Sequence, residues 1–381
     1  MSAAATPWLP ALPPFLTAGA LCIATVPLSI LMARRTGAVA EPDRDRHLHE
    51  QPTPRLGGIA MFLGFAVAVA VFGESIAYRW QVVAVCGAIT VAMGLDDVFD
   101  LSWRAKLLIE VGAGVLVAVT GVLITFVAVP GLGSTAVWQL GWLAVPITIV
   151  WITGMQVSVN FLDGADGVAA GVVAIVAAVM LLAAINRLQS PGDVQSGVIV
   201  MSGAIMGCCL GFLVFNLPPA RVFMGDAGSH FLGVALGMLT ILGVAKIVVG
   251  LSLLVPLIAL GLPISDTAYA IVRRRRAGRS PAEPDAGHLH HRLMARGMTP
   301  LETALTFYLA TGILGCIALS IYGHRKILDA ALALLVVALI ALLWRSRRRG
   351  PVRAIVLDDE EDYPLQGRSA VRSRLHRGEA D

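Results

Sequence analysis

The sequence predicts an all-α protein, a polytopic transmembrane helical bundle of about eleven spans with its N-terminus outside and its polar chemistry gathered at the cytoplasmic face. Three observations carry this: an apolar composition, a series of runs each long enough to cross a bilayer, and a one-sided distribution of Lys and Arg. Of 381 residues, 57% are hydrophobic and 14% charged, against about 25% charged in soluble domains, which excludes an ordinary globular protein. A span needs about 20 mostly apolar residues. Runs of that kind are centred near Ala24, Phe65, Ala88, Val115, Ile149, Ala174, Met206, Leu236, Ala259, Gly312 and Leu335. Little chain is left for a soluble domain, so 1–344 reads as one transmembrane domain. Residues 345–381 read as a basic cytoplasmic tail, disordered beyond its Arg cluster.

The first run, Pro13 to Met32, has no basic residue before it and Arg34 and Arg35 after it, the reverse of a secretory signal peptide. It is therefore kept as a true span. Orientation follows from the rule that short cytoplasmic loops hold the excess of basic residues. Eleven spans with the N-terminus outside leave only Arg79, Arg187, Lys246, Arg325 and Lys326, of 29 Lys and Arg, on the outer side. An error of one span would scramble that partition. The net charge of +4 calls for no nucleic-acid partner. Cys22, Cys86, Cys208, Cys209 and Cys316 all fall inside runs, with no spacing of a disulfide framework or zinc site, and read as small packing residues.

Chemistry concentrates in the cytoplasmic connections. Three acidic segments end or begin apolar runs: Gly94-Leu95-Asp96-Asp97-Val98-Phe99-Asp100, Asn160-Phe161-Leu162-Asp163-Gly164-Ala165-Asp166-Gly167, and Phe223-Met224-Gly225-Asp226-Ala227-Gly228-Ser229. A carboxylate at a helix centre costs about 2.5–3.5 kcal/mol on insertion scales, less near the interface. Placing Asp96, Asp97, Asp163, Asp166 and Asp226 there without a cation is unfavourable. A shared Mg²⁺ answers this most simply, being hard, oxygen-seeking and usually held by one or two carboxylates plus substrate phosphates. Taken singly, each acid also fits a solvated loop or a helix N-cap. Taken together with their glycines, which let backbone N–H groups approach phosphate, they describe a metal-phosphate site.

Further along, Gly287-His288-Leu289-His290-His291-Arg292-Leu293 suits phosphate contact or proton handling. Zinc lacks a Cys or second His pair at a usual spacing, and a merely solvated histidine turn is the plain alternative. Pro52-Thr53-Pro54-Arg55-Leu56-Gly57-Gly58, preceded by His47 and His49, punctuates the entry into the second span. Lys106 and Glu110 are spaced for a local pair, with a phosphate contact by Lys106 as the sharper reading. Asp266 faces either the Arg273 to Arg276 cluster or the site.

With these motifs in order from about Arg44 to Arg296, the chain resembles the polyprenyl-phosphate N-acetylhexosamine-1-phosphate transferase family, which includes the phospho-MurNAc-pentapeptide translocase of peptidoglycan synthesis. The resemblance implies a helical bundle with its active site in a cytoplasmic cleft. It implies Asp226 as principal Mg²⁺ ligand, with Asp97 beside it and Mn²⁺ as an alternative metal. Asp96 and Asp97 resemble the catalytic pair near metal and lipid phosphate, and Asn160 and Asp163 belong to the same polar cluster. Gly164, Asp166, Asn216 and Phe223 match positions that hold uridine, Phe223 by stacking. His288, His290 and His291, with Arg292, resemble the diphosphate-side motif, and Arg55 and Lys106 are further substrate contacts.

The peptidoglycan translocase has a Lys shortly before its Thr-Pro-Thr-Met-Gly-Gly stretch, whereas Glu50 and Gln51 stand here and Arg55 follows Pro54. This resembles the branch that transfers GlcNAc-1-phosphate to start teichoic acid, O-antigen or arabinogalactan-linker synthesis. The expected reaction joins UDP-GlcNAc and undecaprenyl or decaprenyl phosphate, giving polyprenyl-diphospho-GlcNAc and UMP at the bacterial inner membrane. The pentapeptide transferase is the alternative. A membrane transporter is the rival of another class, but transporter sites lie near the midplane and these acids cluster at one face. The family also implies a homodimer, which no residue of the sequence demonstrates.

Overall fold

The computed structural model describes residues 7–40, 52–128, 137–185, 194–244, 289–320 and 325–348, with six single positions between 261 and 276. The helices are α1 Leu12–Thr36, α2 Gly57–Phe72, α3 Arg79–Phe99, α4 Trp103–Val119, α5 Ala144–Leu162, α6 Val168–Ile185, α7 Val194–Asn216, α8 Gly225–Val244, α9 Leu289–Ala295, α10 Pro300–Ser320 and α11 Arg325–Arg348. Ten of the eleven expected run centres fall inside them, and the remaining one, Ala259, lies outside the described residues. Eight helical stretches among the described residues are long and apolar enough to cross a membrane. The α4 helix has 17 residues, and the apolar part of α11 is confined to Ala331–Trp344. Helix α11 carries the chain to Arg348, past the boundary expected at Trp344.

The all-α expectation needs one amendment. Two small antiparallel pairs are present, β1 Val39–Ala40 with β2 Thr53–Pro54, and β3 Phe126–Ala128 with β4 Val137–Gln139. Phe126, Val127, Val137 and Trp138 are β-branched or aromatic residues suited to a pleated pair, in a connection between apolar runs for which the all-α expectation offers no strand. The acidic segments also differ from simple turns. Asp96 and Asp97 lie in the last turn of α3, Asn160 in the last turn of α5, and Asp226 in the first turn of α8.

Helix α8 organises the bundle. It packs on α2, α3, α4, α5, α6 and α7. Although it is the least apolar of the eight spans, 89% of it lies inside the protein, against 22% for α1. Its polar residues therefore face protein rather than lipid, where polar groups can find partners. Phe231 of α8 meets Phe62 and Phe65 of α2 edge-on, at 5.8 and 5.2 Å between centroids. Close approach of α1 and α7 rests on Gly203, Gly207 and Gly211, where a Cβ would strike the carbonyls of Ala11, Phe15 and Gly19. All five cysteines are free, four of them buried and Cys316 half-buried, as packing residues should be.

Because consecutive helices run back and forth, the C-terminal ends of α3, α5 and α7 and the N-terminal ends of α4, α6 and α8 fall at one end of the bundle. The contacts below confirm that shared end.

Candidate functional site

The site begins with the backbone that leads into α8. The Phe223 N–H donates to the Pro54 carbonyl at 2.8 Å, Gly57 N–H to Phe223 O at 3.0 Å, and Gly58 N–H to Met224 O at 2.9 Å. The Pro-Thr-Pro-Arg-Leu-Gly-Gly entry is thus bound to the segment before Asp226. At Gly58 a Cβ would collide with the backbone of Gly228, so glycine is required for α2 and α8 to cross this closely. Gly225 has φ +68°, the left-handed region that glycine adopts without cost, and directs the chain into α8.

The first N–H groups of a helix lack internal partners. Here Asp97 supplies them: its Oδ1 accepts from Asp226 N–H at 2.9 Å and its Oδ2 from Ala227 N–H at 3.0 Å. The carboxylate also meets the positive end of the α8 dipole. Lys106, one turn into α4, reaches two acids, with Nζ 2.7 Å from Asp96 Oδ2 and 2.9 Å from Asp226 Oδ2. Asp96 is only 3% exposed, and its Oδ1 accepts from Leu101 N–H at 2.8 Å. Asn160 of α5 donates through Nδ2 to Asp226 Oδ1 at 2.9 Å and to Ser229 Oγ at 3.1 Å.

The turn between α5 and α6 is held beside this cluster. Both backbone groups of Gly167 are bound by side chains: its N–H donates to Asn216 Oδ1 at 3.0 Å, and its carbonyl accepts from Tyr308 OH at 2.6 Å. The Asn216 Nδ2 continues to Val222 O at 2.8 Å, tying this turn to the segment before Asp226. Asp166 Oδ2 accepts from Ala220 N–H at 2.9 Å. Asp163 accepts no hydrogen bond from a described residue. Burial and the negative neighbours Asp226, Asp97 and Asp166 push its carboxyl well above the usual carboxylate range, with Arg55 opposing. Gly164 and Arg55 are exposed and Phe223 half-buried around the same end.

The family described as Glycosyl transferase family 4 matches residues 80–244, the stretch from α3 through α8. A Bacillus subtilis (strain 168) protein named "Probable undecaprenyl-phosphate N-acetylglucosaminyl 1-phosphate transferase" is 38% identical over 74% of this chain and 77% of its own. The chain belongs to glycosyl transferase family 4. Another relative, the decaprenyl-phosphate N-acetylglucosaminephosphotransferase of Mycolicibacterium smegmatis, is 34% identical over 84% of this chain and 85% of its own. A phospho-N-acetylmuramoyl-pentapeptide-transferase of Synechococcus is 32% identical over 78% of this chain and 87% of its own.

Within this family-4 chain, the structure brings together Asp96, Asp97, Lys106, Asn160, Asp163 and Asp226, with Asp166, Asn216 and Phe223 alongside. His288 and Asp266 lie outside the described residues. His290, His291 and Arg292 fall in α9, where Arg292 is exposed and the two imidazoles are not described. The local Lys106–Glu110 pair is not formed: Lys106 turns to Asp96 and Asp226, while Glu110 Oε1 lies 2.9 Å from His230 Nε2. Sequence reasoning overlooked His230 and Tyr308, and named Ser229 only as the end of an acidic segment, with no role of its own. A signal for His230 was present in matched spacings, Lys106 to Glu110 on one helix and Asp226 to His230 on another.

Among the described residues no group of three or more His, Cys, Asp or Glu forms a ready-made metal cage. The donors nevertheless suit a hard cation. They are carboxylate oxygens, each of which keeps a lone pair after accepting one hydrogen bond. Lys106 Nζ is shared between Asp96 and Asp226, and Asp97 and Asp163 add two further acids to the cluster, so carboxylate oxygens outnumber the cationic groups around Asp226. Mg²⁺ rarely needs a full protein cage and takes substrate phosphates as ligands.

Proposed function

We propose that this chain transfers GlcNAc-1-phosphate from UDP-GlcNAc to a polyprenyl phosphate at the cytoplasmic face of the bacterial inner membrane, with Mg²⁺, as the first step of a cell-envelope polysaccharide. The observation that carries this reading is the convergence on Asp226 of Asp97, Lys106 and Asn160 from three other helices. The names of the Bacillus and Mycolicibacterium relatives support the sugar and the lipid carrier. The bias of Lys and Arg towards the connections bearing these acids supports the cytoplasmic face.

In this reading an oxygen of the lipid phosphate attacks the β-phosphorus of UDP-GlcNAc, the bond from that phosphorus to the bridging oxygen breaks, and UMP leaves. A phosphate monoester with a second pKa of about 6 is largely dianionic at neutral pH, so no strong general base is required. Catalysis is then mostly positioning and charge neutralisation. Asp226, with Asp97, would hold the cation, whose chemistry is to offset charge on the diphosphate. Lys106 offers an ammonium to the same phosphates and is oriented by buried Asp96. Asn160 sets the rotation of the Asp226 carboxylate. Phe223 offers a half-exposed ring for stacking on uracil, beside the clamped turn carrying Asp163 and Asp166.

Replacing Asp226 by Asn tests the assignment. UMP release and formation of polyprenyl-diphospho-GlcNAc by the purified variant should fall by about 100-fold or more, the scale of losing one preorganised electrostatic group. Near-normal turnover at ordinary Mg²⁺ would remove Asp226 from the site.

A further inference from the structure

Four polar groups of Asp226 are each engaged. Asp97 takes its N–H, Asn160 its Oδ1 and Lys106 its Oδ2. The remaining group, its backbone carbonyl, lies 2.8 Å from His230 Nδ1, one helical turn further along α8. A carbonyl can only accept, so Nδ1 carries a proton. The other ring nitrogen, Nε2, lies 2.9 Å from Glu110 Oε1 on α4, and one proton shared across that contact satisfies both atoms. His230 is 1% exposed and Glu110 9%.

This pair lies inside a membrane-spanning bundle, where ionisable side chains are costly and mark function. Stability alone does not ask for it, because apolar side chains of similar volume commonly serve as well as a buried ion pair. Its placement indicates what it does. Lys106 and Glu110 are one turn apart on α4, and their partners Asp226 and His230 are one turn apart on α8. The two contacts form a ladder between the helices. A slide of α8 by one residue, about 1.5 Å along the axis with about 100° of rotation, would break both. Glu110 is itself held from the third side, since Gln156 Nε2 of α5 donates to its backbone carbonyl at 3.0 Å.

We propose that His230, anchored by Glu110, is a positioning residue that fixes the first turn of α8 and aims the Asp226 carboxylate at the divalent cation. This rests on the reading of Asp226 as the cation's ligand. Groups standing behind metal ligands commonly set affinity or activity by 10–100-fold, and His230 acts here through the backbone of the ligand rather than its side chain.

The test uses the full chain purified in detergent, with Mn²⁺ binding read by electron paramagnetic resonance without substrate, and kcat for UMP release read separately. In His230→Asn the amide nitrogen stands in for Nδ1 and the link to Glu110 is lost. In His230→Gln it stands in for Nε2 and the link to the Asp226 carbonyl is lost. Each, and Glu110→Gln, should weaken Mn²⁺ binding about 10–100-fold and lower kcat, with added cation restoring part of the rate. A merely structural role would lower the thermal midpoint and leave Mn²⁺ affinity of the folded protein unchanged, and that result overturns the proposal. Should the His230 variants fail to fold, Glu110→Gln, which leaves the imidazole in place, is read the same way. Asp226→Asn separates the two levels: if it abolishes Mn²⁺ binding while the His230 and Glu110 variants bind normally, only the positioning role falls. If Asp226→Asn binds Mn²⁺ like the parent chain, the ligand assignment falls and the positioning role with it.

Discussion

Asp163 and Asp226 belong to one cluster but are held in opposite ways. Every polar group of Asp226 has a partner, whereas Asp163 accepts no hydrogen bond from a described residue and faces Asp226, Asp97 and Asp166. Its carboxyl is pushed above the ordinary range, first by burial and then by those charges. A carboxyl whose pKa is higher folded than unfolded opposes folding once ionised. The penalty is absent below the unfolded pKa, grows as pH rises towards the folded value and then stays constant. Asp163→Asn should therefore raise the thermal midpoint of cation-free protein at neutral pH and make that midpoint less sensitive to pH between those two values. It should also lower UMP release, since the charge is retained for the cation and diphosphate. A lower midpoint in cation-free Asp163→Asn would contradict this account. Asp96, Asp97, Asn160, Asp163 and Asp226 could be singled out from the sequence because each interrupts or borders an apolar run. His230 was harder to single out, since a lone His in an apolar helix reads as a satisfied core residue and its only signal is a spacing from Asp226 that matches the one from Lys106 to Glu110. Glu110 was hidden by Lys106 four residues before it, a cheap local partner that the fold does not use.

At the scale of elements, apolar runs locate the helices well but misplace what happens at their ends. Asp96 and Asp97 look like a turn by composition, yet α3 continues through both. Lys106 and the free N–H groups of α8 supply the partners that make two carboxylates tolerable there. The entry to α10 was legible in principle, because Thr299 and Glu302 form a capping box with Glu302 N–H to Thr299 Oγ1 at 3.2 Å and Thr299 N–H to Glu302 Oε2 at 3.0 Å. What α10 does for the site was not legible, because Tyr308 lies 141 residues from the glycine it holds. Tyr308→Phe removes one hydrogen bond from Gly167 while Asn216 keeps the other. The turn carrying Asp163 and Asp166 should loosen, raising KM for UDP-GlcNAc about fivefold, the worth of roughly 1 kcal/mol for one hydrogen bond. UMP release measured against donor concentration checks this, and an unchanged KM would leave Tyr308 as packing only.

Across the whole molecule, the position of α8 explains why so polar a site is affordable in so apolar a chain. The helix that bears Asp226 and His230 is the most buried of the eight spans, so its polar groups find partners on α3, α4 and α5 rather than lipid. Hydropathy can identify α8 as a span and as the least apolar one, but only packing reveals that it is central. The family is secure from the relatives, and the donor sugar is where they divide, between N-acetylglucosamine and N-acetylmuramoyl-pentapeptide names. The most direct measurement offers purified protein in detergent, with polyprenyl phosphate and Mg²⁺, UDP-GlcNAc and UDP-MurNAc-pentapeptide separately, recording UMP and lipid product. UMP with polyprenyl-diphospho-GlcNAc from UDP-GlcNAc alone is the predicted result. Release only with the pentapeptide donor, or with neither in folded protein, would contradict it.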